Sequence, residues 1–274
     1  IAYNLEPNLY NFKILNSFLD ITSKKGLKQY PIHLKFNTGL NRLGFKQSDI
    51  SNINTQLKET NAIKIQSLFS HLAASEDLNE KEFSKSQLKS FSSITKEFLK
   101  LLDYKPLLHI LNTSGVVNYA NAQFDMVRIG LGLYGFGNDL KETKQLKNTH
   151  HLKSIISQIH SLKKGESVGY NRAFVAKTPS RSATIPVGHA DGLSRKLGNG
   201  KGYVLIHNQK ANIIGNVCMD MIMVDVSAID CSEGDEVIIF NHQEMLQHIS
   251  NVSDTIVYET LTSISPRVKK MLKK

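Results

Sequence analysis

Long apolar runs are missing from this chain of 274 residues. No stretch approaches the ~20 residues that a membrane-spanning helix needs, and the N-terminus carries no basic, apolar and small-residue signal pattern. The expectation is a soluble, cytoplasmic protein with no membrane partner. Cysteine is scarce: Cys218 and Cys231 are too few for a disulfide framework and lack metal-ligand spacing, in keeping with a reducing compartment and no metal site. No strand is followed by GxGxxG. The glycine-rich "KLGNGKGYV" around Lys201 lacks the GK[ST] ending of a phosphate-binding P-loop and sits between β segments, so it reads as a turn. Internal repeats and low-complexity segments are absent.

What is present is an ordinary globular composition with a basic surplus. At 41% hydrophobic and 21% charged residues, the chain suffices for one large domain or two medium ones. Lys and Arg number 34 against 24 Asp and Glu. The surplus is scattered over helices and the tail "RVKKMLKK" and forms no stripe interleaved with aromatics, so no nucleic-acid partner is expected. A basic surface that attracts anionic small molecules, or one that is simply solvated, fits better.

Two regimes follow one another along the chain. Up to about residue 137, short apolar runs alternate with helical patterns: "IAYNL" before "NLYNFKILNSFLDITSKKG", "IHLKF" before "SDISNINTQLKET", "KIQSLFS" before a long helix, "LLHIL" before a short one, and finally "DMVRIGL". Strands alternating with helices predict parallel βα units. The fold class expected is α/β: a partial (β/α)8 TIM barrel of about five of its eight strands, with chemistry at the strand C-terminal ends. The polar stretch 138–150 reads as a linker. From 151 to 274 the pattern changes to short strands between Gly and Asn turns, which predicts a mostly β domain, sandwich or barrel, closed by two short helices near 242–250 and 253–261.

Candidate chemistry clusters just after the strands of the first regime. "HLKFNTGLNRLGF" puts Lys35 on a strand and Arg42 in the glycine-rich loop behind it, and "SLFSHLAASED" ends a strand with His71. "LLHILNTSG" carries His109, then Asn112, Thr113 and Ser114 where a helix would begin. That is either an ordinary helix cap or an anion site suited to phosphate. "FDMVRIGLGLYGF" sets Arg128 inside an apolar run. An unpaired buried guanidinium costs several kcal/mol, so something must meet it. Together, Arg42, His71, Thr113 and Arg128 followed by Gly130 suit an anionic ring system with a phosphate tail.

These stretches, with "SVGYNRAF", "IPVGHADGLSR" and "GNVCMDMIMVDV", occur in the order and near the spacing of the alanine racemase family, which the chain resembles over nearly its whole length. The resemblance implies pyridoxal 5'-phosphate as cofactor, interconversion of L- and D-alanine by two-base proton transfer, D-alanine supply for peptidoglycan, and a homodimer with shared active sites. It implies that Arg128 meets the cofactor's ring nitrogen with His71 in the same network, which leaves that nitrogen unprotonated because arginine keeps its proton. Tyr170 is implied as one base, tuned by His71 and Arg42. Arg42, Met219 and Asp220 are implied at the substrate; Thr113 and the backbone N–H groups around Gly130 and Leu131 at the phosphate. Lys35 matches a lysine that some members carry as a carbamate. Tyr170, Met219 and Asp220 are implied to serve the partner subunit's site.

Departures from the family pattern are specific. His189 and Pro266 stand where tyrosines are common, and Asn37 where Asp is usual. The family's cofactor lysine lies in a stretch like "VKANAYGHG", and nothing in this chain matches it. The chain begins at Ile1 without an initiator Met, so that strand is expected upstream and this chain alone is expected to be inactive. Two further readings share most of these residues: an amino-acid racemase of broad specificity, and a non-catalytic cofactor-binding or dimerisation module.

Overall fold

The computed structural model describes residues 1–272, so the last two residues of the basic tail lie outside the described residues. The chain divides into two compact units, one of Ile1–Leu133 with Gly137–Glu142 and one of Tyr134–Phe136 with Thr143–Lys274.

The first unit is built of βα repeats: β1 (Asn8–Leu9), α1 (Phe12–Lys24), β2 (Tyr30–Lys35), α2 (Ile50–Lys58), β3 (Ile63–Phe69), α3 (Lys81–Leu99), β4 (Leu107–His109) and α4 (Thr113–Asn118). The strands form one sheet in the order β1-β2-β3-β4, parallel throughout. Local sequence sets the starts of the helices. Asn11 caps α1 by accepting from Ile14 N–H at 2.9 Å, and Asn112 caps α4 by accepting from Gly115 N–H at 2.9 Å. In α3 the buried residues Ser84, Gln87, Phe91, Ile94, Thr95 and Phe98 recur at three- and four-residue steps, which turns one face to the sheet. Phe91 and Phe98 are fully buried there, each contributing about 1.5–3 kcal/mol of apolar transfer.

Two expectations need correction. Residues 1–5 form a turn and coil, and the first strand is Asn8–Leu9, inside the stretch read as a helix start. The expected fifth strand around Arg128 is extended chain without a regular ladder. Its backbone reaches β4 and its continuation through the N–H groups of Asp125 and Arg128, which bond Leu108 O and Leu111 O at 3.0 Å each, and Phe124 has φ +52°.

The stretch read as a linker holds one helical turn, α5 (Leu140–Thr143). The second unit follows with β5 (Leu152–Ile155), β6 (Gln158–Leu162), β7 (Ser167–Val168), β8 (Phe174–Val175), β9 (Ser180–Ile185), β10 (Tyr203–Ile206), β11 (Gln209–Ile214), β12 (Ile222–Asp225), β13 (Glu236–Phe240), α6 (Gln243–Ser253) and α7 (Val257–Thr262). Seven strands make one sheet, β5-β13-β10-β11-β12-β9-β6, antiparallel at every pairing. Alternate residues point inward, as with Val204 and Ile206 on β10 and Ile222 and Val224 on β12. The single run expected at "LKSIISQIHSL" is two strands on opposite edges of this sheet, and the closing helices fall where the sequence put them.

Candidate active site

Lys35, the last residue of β2, and Phe45 bracket a closed loop. Phe45 N–H bonds Lys35 O, and Asn37 N–H bonds Phe45 O, at 2.9 Å each. Gly44 makes this closure possible. Its φ is +140°, and a side chain there would push into the backbone of Phe36 and Asn37. Inside the loop, Asn37 accepts from Gly39 N–H (3.1 Å) and Asn41 N–H (3.0 Å), work that a neutral amide performs without adding a negative charge. Arg42 stands exposed on this loop with no acidic partner among the described residues.

Arg128 is met by neutral acceptors. Its guanidinium donates to His109 Nδ1, to Ser70 O at 2.8 Å, to His71 Nδ1 at 3.0 Å and to Ile110 O at 3.3 Å. Its Cζ lies 5.3 Å from the centre of the Phe69 ring, on which His109 stacks at 4.8 Å. Burial, with the Arg128 charge next in importance, pulls both His71 and His109 down to about 4, so both are neutral at pH 7.

Arginine has no acceptor, so the direction of the bonds behind it is fixed. His109 Nδ1 accepts, hence its Nε2 carries the proton and donates to Ser67 Oγ at 3.0 Å. Ser67 Oγ in turn lies 2.6 Å from His33 Nδ1, and His33 Nε2 donates to Glu6 Oε2 at 2.9 Å. A chain of hydrogen bonds thus leads from the guanidinium to a surface carboxylate. Sequence reasoning missed it. The trace was there, as polar residues within otherwise apolar strands: His33, Ser67 and His109. His33 and Ser67 are register partners in the sheet.

Lys35 is 7% exposed, and its Nζ sits 5.9 Å from the same Phe69 ring. Burial and the charges of Arg42 and Arg128 lower its pKa. No carboxylate lies within ion-pair distance of Lys35, Arg42 or Arg128 among the described residues. Three cations share one neighbourhood without a counter-ion.

Beyond β4, Thr113 Oγ1 accepts from Gly130 N–H at 2.9 Å and Gly132 N–H at 3.3 Å. The structure therefore brings together Lys35 at the end of β2, Arg42 and His71 on the loops after β2 and β3, Thr113 at the start of α4, and Arg128 and Gly130 on the segment after α4, with Leu131 opening the next turn.

Tyr170, Met219 and Asp220 belong to the second unit. Tyr170 and Asp220 line an open cleft of about 760 Å³ together with Cys218 and Met221. Tyr170 is 73% and Met219 63% exposed. Tyr170 rides on a strained turn: Gly169, Asn171 and Arg172 have φ of +76°, +56° and +48°. Asn216 Nδ2 holds the Tyr170 carbonyl at 3.2 Å. Left-handed non-glycine residues cost about 1 kcal/mol or more each and gather at functional sites. His189 is exposed beside the 218–221 loop, its N–H bonding Cys218 O at 3.0 Å while Ala190 N–H bonds Met219 O at 2.8 Å. Pro266 brings no hydroxyl. Its neighbour Arg267 donates from Nε to Asp191 Oδ1 at 3.0 Å, while Asp191 Oδ2 accepts from Gly188 N–H at 2.8 Å.

The model of the alanine racemase N-terminal domain matches residues 1–137, and that of the C-terminal domain residues 149–272. The alanine racemase of Thermodesulfovibrio yellowstonii is 35% identical over 273 residues, which is 98% of this chain and 72% of that protein. That of Fusobacterium nucleatum is 38% identical over 247 residues, 88% of this chain and 67% of that protein. Among solved structures, alanine racemase from Clostridium difficile 630 superposes with a TM-score of 0.88 at 26% identity, covering 96% of this chain and 70% of that one. The Bartonella henselae enzyme, solved with covalently bound pyridoxal phosphate, gives 0.82 at 29%, covering 98% and 74%. The parallel βα unit and the antiparallel unit that follows it in sequence each match a domain model of one family: the chain belongs to the alanine racemases.

Proposed function

We propose that this protein interconverts L- and D-alanine with pyridoxal 5'-phosphate, the D-alanine serving peptidoglycan synthesis. The observation that carries the reading is the guanidinium of Arg128, fixed by four neutral acceptors beside two further cations that have no acidic partner. Such a pocket suits a phosphorylated pyridine bearing a phenolate.

The residues fit the cofactor on their own chemistry. Arg128 would face the ring nitrogen, Thr113 with the N–H groups at Gly130 and Leu131 would hold the phosphate, and Arg42 would face the phenolic oxygen and the substrate carboxylate. When bound there, pyridoxal phosphate supplies an electron sink that makes the substrate's α-hydrogen acidic. Arg128 keeps its own proton, and His71 and His109 stay neutral, so none of them passes a proton to the ring nitrogen. Tyr170 Oη is the base on one face of the α-carbon, and the backbone N–H of Met219 receives the substrate carboxylate near Asp220. The strained turn under Tyr170 supports a functional role for it.

Lys35 is proposed to carry a carbamate. Its lowered pKa raises the neutral fraction of the amine above that of an exposed lysine. The nitrogen lone pair forms an N–C bond to carbon dioxide, one C–O π pair moves onto oxygen, and the amine releases a proton to water. The resulting anion would balance Arg42 and Arg128. Tyr170, Met219 and Asp220 are proposed to serve a second copy's site, and the exposure of Tyr170 and Met219 supports this.

The test is racemisation of alanine, serine and lysine by the product of the complete coding sequence, with Tyr170→Phe as the mechanistic variant. Alanine turnover at least tenfold above the other two, and loss of α-proton exchange from one enantiomer in Tyr170→Phe, are expected. Equal rates on all three substrates point to broad specificity. Unchanged exchange in both enantiomers removes Tyr170. Sharing of sites is tested by mixing Arg128→Ala and Tyr170→Phe, each inactive alone. Random pairing of two such subunits restores about a quarter of the wild-type rate, and no recovery denies shared sites.

A further inference from the structure

The side chain of Gln87 is anomalous. It lies on α3, is 1% exposed, and interrupts a helix face that is otherwise apolar or small. Glutamine buried at this depth must satisfy both ends of its amide. Its Oε1 accepts from Ala73 N–H at 2.9 Å. Its Nε2 donates to His71 O at 3.2 Å and points at Thr38 Oγ1 at 3.4 Å. Both backbone groups belong to the loop after β3 that carries His71, and Thr38 belongs to the loop after β2 that carries Arg42.

Thr38 extends the connection. Its hydroxyl meets Ser70 Oγ at 2.8 Å, Ser70 Oγ donates to Phe36 O at 2.7 Å, and Ser70 O accepts from Arg128 at 2.8 Å. Ser70 is 2% exposed. One helix turn earlier on α3, Ser84 reaches Ala74 O at 3.3 Å, so the helix grips the same loop a second time but does not touch His71. A side chain on Gly39 would lie 3.4 Å from Gln87 Cγ, which shows how closely the first loop packs on this amide.

We propose that Gln87 is a positioning residue of the active site: a buried amide clamp that holds the His71 loop and the Arg42 loop in one register and so fixes the acceptors around Arg128. It touches neither substrate nor cofactor. The effect on catalysis rests on the racemase reading, whereas the effect on His71 does not.

The experiment separates these. Arg128, Arg42 and Lys35 face His71, and in the wild-type chain with Lys35 as a free amine the His71 ring signal should stay flat by NMR from pH 8 to pH 5. Gln87→Met keeps the volume and removes all three bonds. With the loop released to solvent, the His71 signal is expected to titrate inside that window, moving up by about one unit or more. Ser84→Ala, which loosens the other grip only, should leave it flat. Assignment comes from the missing signal in His71→Gln. Where Gln87→Met does not fold, Gln87→Glu serves: it keeps the Ala73 bond, loses the donor to His71 O and adds a carboxylate, and the titration should again enter the window. A His71 signal that stays flat in the folded variant overturns the proposal, whatever the activity. In turnover, Gln87→Met should lower kcat several-fold more than it raises KM for alanine. Failure of turnover in every form, with the His71 shift present, would indict the racemase reading and leave the clamp standing.

Discussion

Acid should destabilise this fold through two identified histidines, and the size of the effect follows from their surroundings. His71 and His109 sit near 4 in the folded chain against 6.5 when exposed. Because the folded pKa is the lower one, the unfolded chain takes up protons first. The stability these neutral rings confer is complete above pH 6.5 and is lost as pH falls through 6.5 toward 4. Between pH 7 and pH 5 a buried histidine such as His109 costs about 2 kcal/mol by proton linkage, and His71, which is partly exposed and shares Arg128 with it, adds less. Against a typical stability of about 5–15 kcal/mol this is large.

His109→Asn isolates one share. Its Oδ1 can take the place of Nδ1 as acceptor for Arg128, and it does not titrate. Urea unfolding at pH 7, 6 and 5 is the assay, and the quantity is the change in stability from pH 7 to 5, wild type minus variant, in which the carboxylates common to both cancel. The expected difference is about 2 kcal/mol, the wild type falling more steeply. Equal slopes would mean that His109 is already protonated at neutral pH, or that Arg128 does not face it.

Arg128→Lys keeps the charge but loses the planar fork that reaches four acceptors, so racemisation is expected to fall by on the order of 10–100-fold, measured as kcat/KM for alanine; a loss below twofold would contradict the cradle. Protein equilibrated with ¹³C-bicarbonate should show a carbamate carbonyl resonance that vanishes in Lys35→Met, and its absence from the wild type leaves Lys35 a plain amine. Asp191→Asn weakens the grip on Arg267, which is itself largely exposed, and should cost about 1 kcal/mol by urea unfolding; a loss beyond about 3 kcal/mol would mean that the pair is more desolvated than its geometry implies.

Much of the architecture was legible because hydrophobic period follows secondary structure directly. Alternation on β10 and β12 and three- and four-residue steps on α3 are local properties. The strand expected at Arg128 failed for a reason equally physical. Val127 is partly covered, but Phe124, Met126 and Ile129 are exposed in this chain, so here an apolar run marks neither a ladder nor full burial. The site was legible where motif and position coincide, as at Arg42, His71, Thr113 and Arg128. The hydrogen-bond chain through His33 and Ser67 was not, since it depends on which residues of adjacent strands share a register. Gln87 was invisible for a similar reason: on a helix face one glutamine resembles any other until its partners, 14 to 49 residues away in sequence, are known.

The central claim is that the Arg128 guanidinium faces the nitrogen of a bound pyridine ring. It is tested most directly by ¹⁵N NMR of pyridoxal phosphate labelled at that nitrogen and bound to the protein from its complete coding sequence. A resonance typical of an unprotonated, hydrogen-bonded pyridine, constant from pH 6 to 9 and displaced by Arg128→Lys, is the expected result. A pyridinium resonance, or one indifferent to that substitution, would contradict the account.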